Sequence, residues 1–183
     1  MGHLCSGRPR RRPGDQALRI ARHPRGRAPL RHRTVNTSDL TFRDFQPADI
    51  EKVTALLRSN IPKYFVPAEE QELRDYLAEH PENYYVVESG GDVVGAGGVA
   101  LNDDETISLC WGMVRNELIG TGLGKRLTLF RMEKAREKWG DPPFVTSTSH
   151  HTEGFYRKFG FETIERIPDG FGPGIDTCKM VCR

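Results

Sequence analysis

The sequence predicts a single mixed α/β domain, and three observations carry that prediction. The stretch Thr106 to Trp139 passes from an apolar strand-type run (Ile107 to Val114), through a glycine triplet, into a long helical pattern. Segments of strand character and of helical periodicity follow one another on both sides of it, punctuated by Gly and Pro. At 183 residues the chain has room for one ordinary core and not two.

Taken in order, Leu40 to Phe45 alternates apolar and polar and reads as a first strand. Pro47 then opens an amphipathic helix carried by Ile50, Val53, Leu56 and Leu57 and stopped by Pro62. A second helix, Pro67 to His80, has an acidic first turn suited to the helix dipole. Tyr84 to Glu88 and Val93 to Leu101 flank Ser89-Gly90-Gly91-Asp92 as a hairpin. Gly95, Gly97 and Gly98 weaken its second strand and point to close approach of another backbone or a ligand. After the glycine triplet, Leu123, Leu127 and Phe130, widened by Leu129, Met132, Ala135 and Trp139, give a helix that packs on the sheet and ends at Asp141-Pro142-Pro143. Phe144 to Thr148, Phe161 to Ile167 and Ile175 to Cys182 read as further strands. Pro168 to Gly174 reads as a loop, with Phe171 placed to cap a pocket.

Bulk properties bound the setting. Mean hydropathy is -0.57, and no apolar run approaches the ~20 residues of a membrane span, so a soluble, cytoplasmic protein without a membrane partner is expected. The net charge of +2 hides an asymmetry: residues 1–34 hold ten Arg and one Asp, +9, and the remainder holds seventeen bases and twenty-four acids, -7. Residues 1–36 read as a disordered Arg-rich tail. Such a tail suits nucleic acid or an anionic membrane, resembles an Arg-rich, acid-poor organelle transit peptide, or belongs to a start placed upstream of the true one, for example Val35. Cys5, Cys110, Cys178 and Cys182 form no C-x-x-C pair. On one strand Cys178 and Cys182 would stand about 13 Å apart, too far for a disulfide, so reduced thiols are expected.

A helix that begins at a glycine loop presents unpaired N–H groups and the positive end of its dipole, which makes an anion site. Gly120, Gly122 and Gly124 supply such a loop, but neither standard nucleotide motif fits. The P-loop pattern puts Ile119 at its first Gly and Arg126 at its Ser/Thr, and the dinucleotide pattern ends on Lys125 or Leu127.

A third pattern fits. The run Val114-Arg115-Asn116-Glu117-Leu118-Ile119-Gly120-Thr121-Gly122-Leu123-Gly124-Lys125-Arg126-Leu127 resembles motif A of the GNAT superfamily of acetyl-CoA-dependent N-acetyltransferases, whose core is (Arg/Gln)-x-x-Gly-x-Gly/Ala. Gly122 and Gly124 match the last two fixed positions, Ile119 departs from the first, and Asn116 stands where Pro is common. Downstream, Ser149 to Phe161, with Phe155-Tyr156 and Gly160-Phe161, is similar to motif B. The resemblance covers roughly Leu40 to the C-terminus, so residues 37–183 read as the N-acetyltransferase domain. It implies a mostly antiparallel sheet of six to seven strands, flanked by about four helices and splayed between the fourth and fifth strands.

It also implies a site. Met113, Val114 and Arg115 at the parted strand would bind the pantetheine arm through free N–H and C=O groups, and an N–H near Met113 would polarise the thioester. Gly120, Thr121, Gly122, Leu123, Gly124 and Lys125 would hold the pyrophosphate. Tyr156 falls at the family's Tyr position, and a phenol is protonated at neutral pH and can hand a proton to a thiolate. The bland alternative is an aromatic core residue. Ser149 would bond pantetheine or, the favoured reading, cap the following helix. The base is open among Glu105, Asp104, His150 and His151, with Glu105 the nominated residue. Tyr64 and Phe65 are equally specificity residues or core aromatics. Side-by-side His150 and His151 lack the presentation of a helical metal pair, so no metal is expected.

The expected activity is acetyl transfer from acetyl-CoA to a primary amine by direct attack in a ternary complex, by a monomer or homodimer. The rivals are a non-catalytic acyl-CoA sensor and a nucleic-acid-binding protein acting through its tail.

Overall fold

The computed structural model describes residues 39–183, and the tail and Cys5 discussed above lie outside the described residues. Strand β1 (Leu40–Asp44) leads to a single 3-10 turn, Pro47–Asp49, and then to α1 (Ile50–Arg58). Pro47 sits where a backbone N–H is not needed, and buried Asp49 closes a capping box with Gln46. Both terminal nitrogens of Arg43 reach the same carboxylate at 2.7 and 2.9 Å. That hydrogen-bonded pairing holds the Asp49 carboxyl below the usual carboxylate range. The helix stops four residues before the expected Pro62, because the Asn60 side chain turns back onto the Leu56 carbonyl at 3.0 Å.

The remaining elements are α2 (Glu69–Glu79), β2 (Tyr84–Ser89), β3 (Asp92–Leu101), β4 (Ile107–Val114), α3 (Leu123–Trp139), β5 (Phe144–Ser149), α4 (Glu153–Arg157), β6 (Glu162–Gly172) and β7 (Ile175–Cys182). The seven strands form one sheet in the order β1-β2-β3-β4-β5-β7-β6, antiparallel at every step except β4–β5.

Alternation along β2 fixes the layers. Tyr84 and Val86 face a core built with Val53, Leu56 and Leu57 of α1 and Leu73 and Leu77 of α2. Tyr85 packs with Met132 and Ala135 of α3, and Val87 with Leu123 and Leu127. Each fully buried large side chain contributes roughly 1.5–3 kcal/mol, and both faces of the N-terminal half-sheet are covered. Beyond β4 the α3/α4 face stays apolar, with Phe144, Cys178 and Met180. Along β5 and β7, small polar residues (Ser147, Ser149, Thr177) are also buried.

Three expectations need correction. The segment Pro168–Gly172 is not a loop: β6 runs through to Gly172, paired with Ile175, and only Pro173 and Gly174 make the turn. Asp169, at φ +50°, accepts from the Gly174 N–H while its own N–H donates to Asp176, which ties the irregular stretch into the hairpin. Leu129 does not widen the buried face of α3; it is 48% exposed, and Arg131 is buried instead. Ser149 is not a helix cap: it ends β5, Thr152 holds the cap position of the short α4, and the Ser149 carbonyl accepts from the Thr152 N–H and hydroxyl.

Candidate active site

Strands β4 and β5 share only two residue pairs, Ile107 with Phe144 and Ser108 with Val145. One step on, the Thr146 hydroxyl donates to the Leu109 carbonyl at 3.2 Å. From there the strands part, β4 running on to Val114 and β5 to Ser149. Close to the fork β4 carries a bulge. Ala96 pairs with Met113 but Gly98 with Cys110, so Trp111 and Gly112 together oppose Gly97, and Trp111 takes φ +46°. The extra residue re-aims the strand edge.

The loop after β4 is a 3-10 turn, Asn116–Leu118, followed by Gly120 and Gly122 at φ +91° and +89°. Residues with a Cβ avoid that region, and a Cβ built on either glycine meets nothing within 4 Å. The first helical bond of α3 runs from the Arg126 N–H to the Gly122 carbonyl at 3.1 Å. The amides of Leu123, Gly124 and Lys125 therefore precede the ladder, and no side chain caps them. With the dipole behind them, these donors fit a diphosphate. Thr121 spends its hydroxyl on the Leu118 carbonyl, and half-buried Arg115 on the Val93 carbonyl. Lys125 is exposed, Leu123 is buried, and Gly124 sits against the Phe155 ring.

Tyr156 is 3% exposed, between Phe155 and Phe161 with ring centroids at 5.1 and 5.6 Å. Tyr156 lies in the apolar cluster with Phe161, Cys178 and Met180, and buried Ser149 is the last residue of β5. His150 exchanges two 3.1 Å bonds with the backbone of Asp176, its Nδ1 accepting the Asp176 N–H. His151 is exposed and meets half-buried Tyr64 edge-on at 6.3 Å. Partial burial, His150 and Lys63, in that order, push the His151 imidazole below its usual 6.5. Tyr64 and Phe65 thus take different roles, since Phe65 is buried and stacks on Trp111. The β6–β7 hairpin closes on the same loop: a Cβ on Gly172 would lie 3.3 Å from Val66.

Two sequence-derived residues are not brought to this mouth. Glu105, exposed at φ +62°, and Asp104, bonded to Thr106, sit in the turn before β4. By strand rise, Glu105 is roughly 25 Å from Met113. Glu105 has the chemistry of a base, but it stands at the zipped end of the strand pair. The strand edge is also not free throughout, because Asn60 Nδ2 donates to the Val114 carbonyl at 2.9 Å. Asn60, Thr146 and Arg131 were all missed from sequence, and no short motif marks them. Among the described residues no three His, Cys, Asp or Glu side chains gather to hold a metal ion.

Comparison with known proteins bears on this geometry. The family model described as "Acetyltransferase (GNAT) family" matches residues 50–161. The uncharacterized N-acetyltransferase YjgM of Escherichia coli (strain K12) is 32% identical over 99 residues, 51% of this chain and 59% of that protein. The chain thus spans less than two thirds of that relative's length. Ard1 from Thermoplasma volcanium aligns with a TM-score of 0.67 at 21% identity, over 78% of this chain and 96% of its own. N-acetylglutamate synthase from Neisseria gonorrhoeae, complexed with coenzyme A and N-acetyl-glutamate, aligns with a TM-score of 0.62 at 21% identity, over 79% of this chain and 35% of its own. At these identities the two structures speak to fold alone.

Proposed function

The chain belongs to the GNAT acetyltransferase family, and from that premise we propose that it transfers the acetyl group of acetyl-CoA to a primary amine by direct attack at the β4–β5 fork. One observation carries the reading: a parted strand pair opens beside the uncapped amides at the start of α3. Bound there, acetyl-CoA would supply an acetyl thioester whose leaving group is the coenzyme A thiolate.

The amides of Leu123, Gly124 and Lys125 grip the diphosphate, and Gly120 and Gly122 let the main chain reach it. The edge of β4 at Met113 and Val114 aligns the pantetheine arm as an added strand would, offering N–H groups, since Asn60 already holds the Val114 carbonyl. An amide near Met113 meets the developing negative charge on the thioester oxygen. The amine nitrogen bonds to the acetyl carbon as the carbon–sulfur bond breaks. His151 takes the proton shed by the amine, and Tyr156 gives its phenolic proton to the departing thiolate. His151 is preferred to Glu105 here because it follows the end of β5 away from the two zipped pairs, against Tyr64, and its imidazole is pushed toward the neutral form.

Acceptor choice falls to the Tyr64 loop and the β6–β7 hairpin, and the acidic balance of residues 35–183 favours a cationic amine. No described helix is long and apolar enough to cross a membrane, and the free thiols of Cys110, Cys178 and Cys182 suit a reducing, cytoplasmic setting. The test is release of free thiol from acetyl-CoA across an amine panel, beside binding calorimetry. Binding with amine-dependent release is expected. Binding without release on any amine would leave the acyl-CoA sensor as the better reading.

A further inference from the structure

Arg131, in the middle of α3, is 1% exposed. Its Nη1 donates to the Gly98 and Cys110 carbonyls, both at 3.3 Å, and its Nη2 to the Thr128 hydroxyl at 3.5 Å. Its Nε has no partner, and among the described residues no carboxylate pairs with it. A buried guanidinium without a counter-charge is strongly penalised, so its position calls for a physical reason.

Its surroundings supply one. The guanidinium lies against the β4 bulge. A Cβ on Gly112 would fall 2.7 Å from Nη2, and one on Gly97 2.8 Å from Nη1, so two residues without side chains make room for the cation. Its two carbonyl acceptors, Gly98 and Cys110, are the pair at which the β3–β4 register shifts, where a bulge disrupts the regular ladder. Met113, whose neighbouring amide is assigned to the thioester oxygen, directly follows the bulge residue Gly112.

We propose that Arg131 is a positioning residue for acetyl transfer: it braces the Trp111–Gly112 bulge through the Gly98 and Cys110 carbonyls and sets a fixed positive charge behind the strand edge that polarises the thioester. The inference rests on the acetyl-transfer reading above. A cation held in a dry site, aimed where negative charge develops, acts at little reorganisation cost. A purely architectural arginine would stabilise the sheet and leave the thioester alone.

The two are separated by infrared spectroscopy of acetyl-CoA carrying 13C at the acetyl carbonyl, bound to the full-length protein, with calorimetry and melting temperature alongside. In the wild type the carbonyl stretch is expected to fall below its value for free acetyl-CoA. Arg131→Met should lose most of that fall while retaining acetyl-CoA affinity, and Arg131→Lys should recover part of it. Thiol release should follow, with kcat lower by about tenfold to a hundredfold and the acetyl-CoA KM nearly unchanged. If Arg131→Met does not fold, Gly112→Ala takes its place, since the added methyl displaces the guanidinium without removing it, and the same loss is expected. An unchanged carbonyl stretch in whichever variant folds, or a lowered melting temperature with kcat intact, would overturn the proposal. Failure of the wild type to bind acetyl-CoA would instead overturn the acetyl-transfer reading beneath it.

Discussion

The Asn60 side-chain amide donates to the Val114 carbonyl at 2.9 Å, tying the end of α1 to the last residue of β4. The same nitrogen reaches the Leu56 carbonyl and the Ser59 hydroxyl at 3.0 and 3.2 Å, in a site where Asn60 is 4% exposed. Asn60→Ala leaves these acceptors without their donor and should destabilise the fold by about 1–3 kcal/mol. Because Val114 borders the fork, acetyl-CoA affinity should weaken as well. Urea denaturation and calorimetry read the two effects, and a stability loss with affinity intact would detach Asn60 from the site.

Gly122→Ala tests the loop. The methyl has space, so the penalty comes from φ +89° alone, about 1–2 kcal/mol in the left-handed region. Relief of that strain swings the first amides of α3 away from the diphosphate, and acetyl-CoA binding should weaken about tenfold, roughly 1.4 kcal/mol. Calorimetry with coenzyme A alone checks it; equal affinity in the variant would mean that these amides are not the grip.

Tyr156→Phe keeps the ring packed against Phe155 and Phe161 and removes only the hydroxyl. Melting temperature and acetyl-CoA affinity should stay close to wild type, while kcat drops about a hundredfold or more. Retained kcat would return Tyr156 to the core aromatics.

His151 gives the pH dependence. Its pKa lies below 6.5, depressed by partial burial and by His150 and Lys63. A base acts when unprotonated, so kcat/KM should climb as pH rises through that lowered value. His151→Gln should lower kcat and abolish the climb. An acid limb that survives the substitution would assign the proton to another group.

Much of this was legible before any coordinates. The limits of β4 and β7 follow from apolar runs with polar or glycine stops, and α3 is bounded by Gly122 in front and Gly140-Asp141-Pro142 behind. The loop residues could be named because the proposed grip is made by backbone amides, not side chains, and glycines mark where the backbone is bare. What stayed hidden depends on partners distant in sequence. Arg131 looks like any polar helical residue; two glycines on neighbouring strands decide that it is buried. Leu129 looks apolar, yet faces solvent because its side of α3 meets no sheet. Pro168 to Gly172 has the composition of a loop but continues β6 as an irregular stretch that regains pairing at Gly172, tied to β7 through Asp169. Glu105 carries a carboxylate in the turn before β4, far along the strand from Met113, a matter of place that composition does not carry.

With only two residue pairs joining β4 to β5, the sheet is a pair of half-sheets stitched at one end. A guest lying along the gap supplies the missing rungs, so coenzyme A should act as a reversible splint. Heat resistance should then grow with the logarithm of its concentration, and amide exchange along the far reaches of β4 and β5 should slow together.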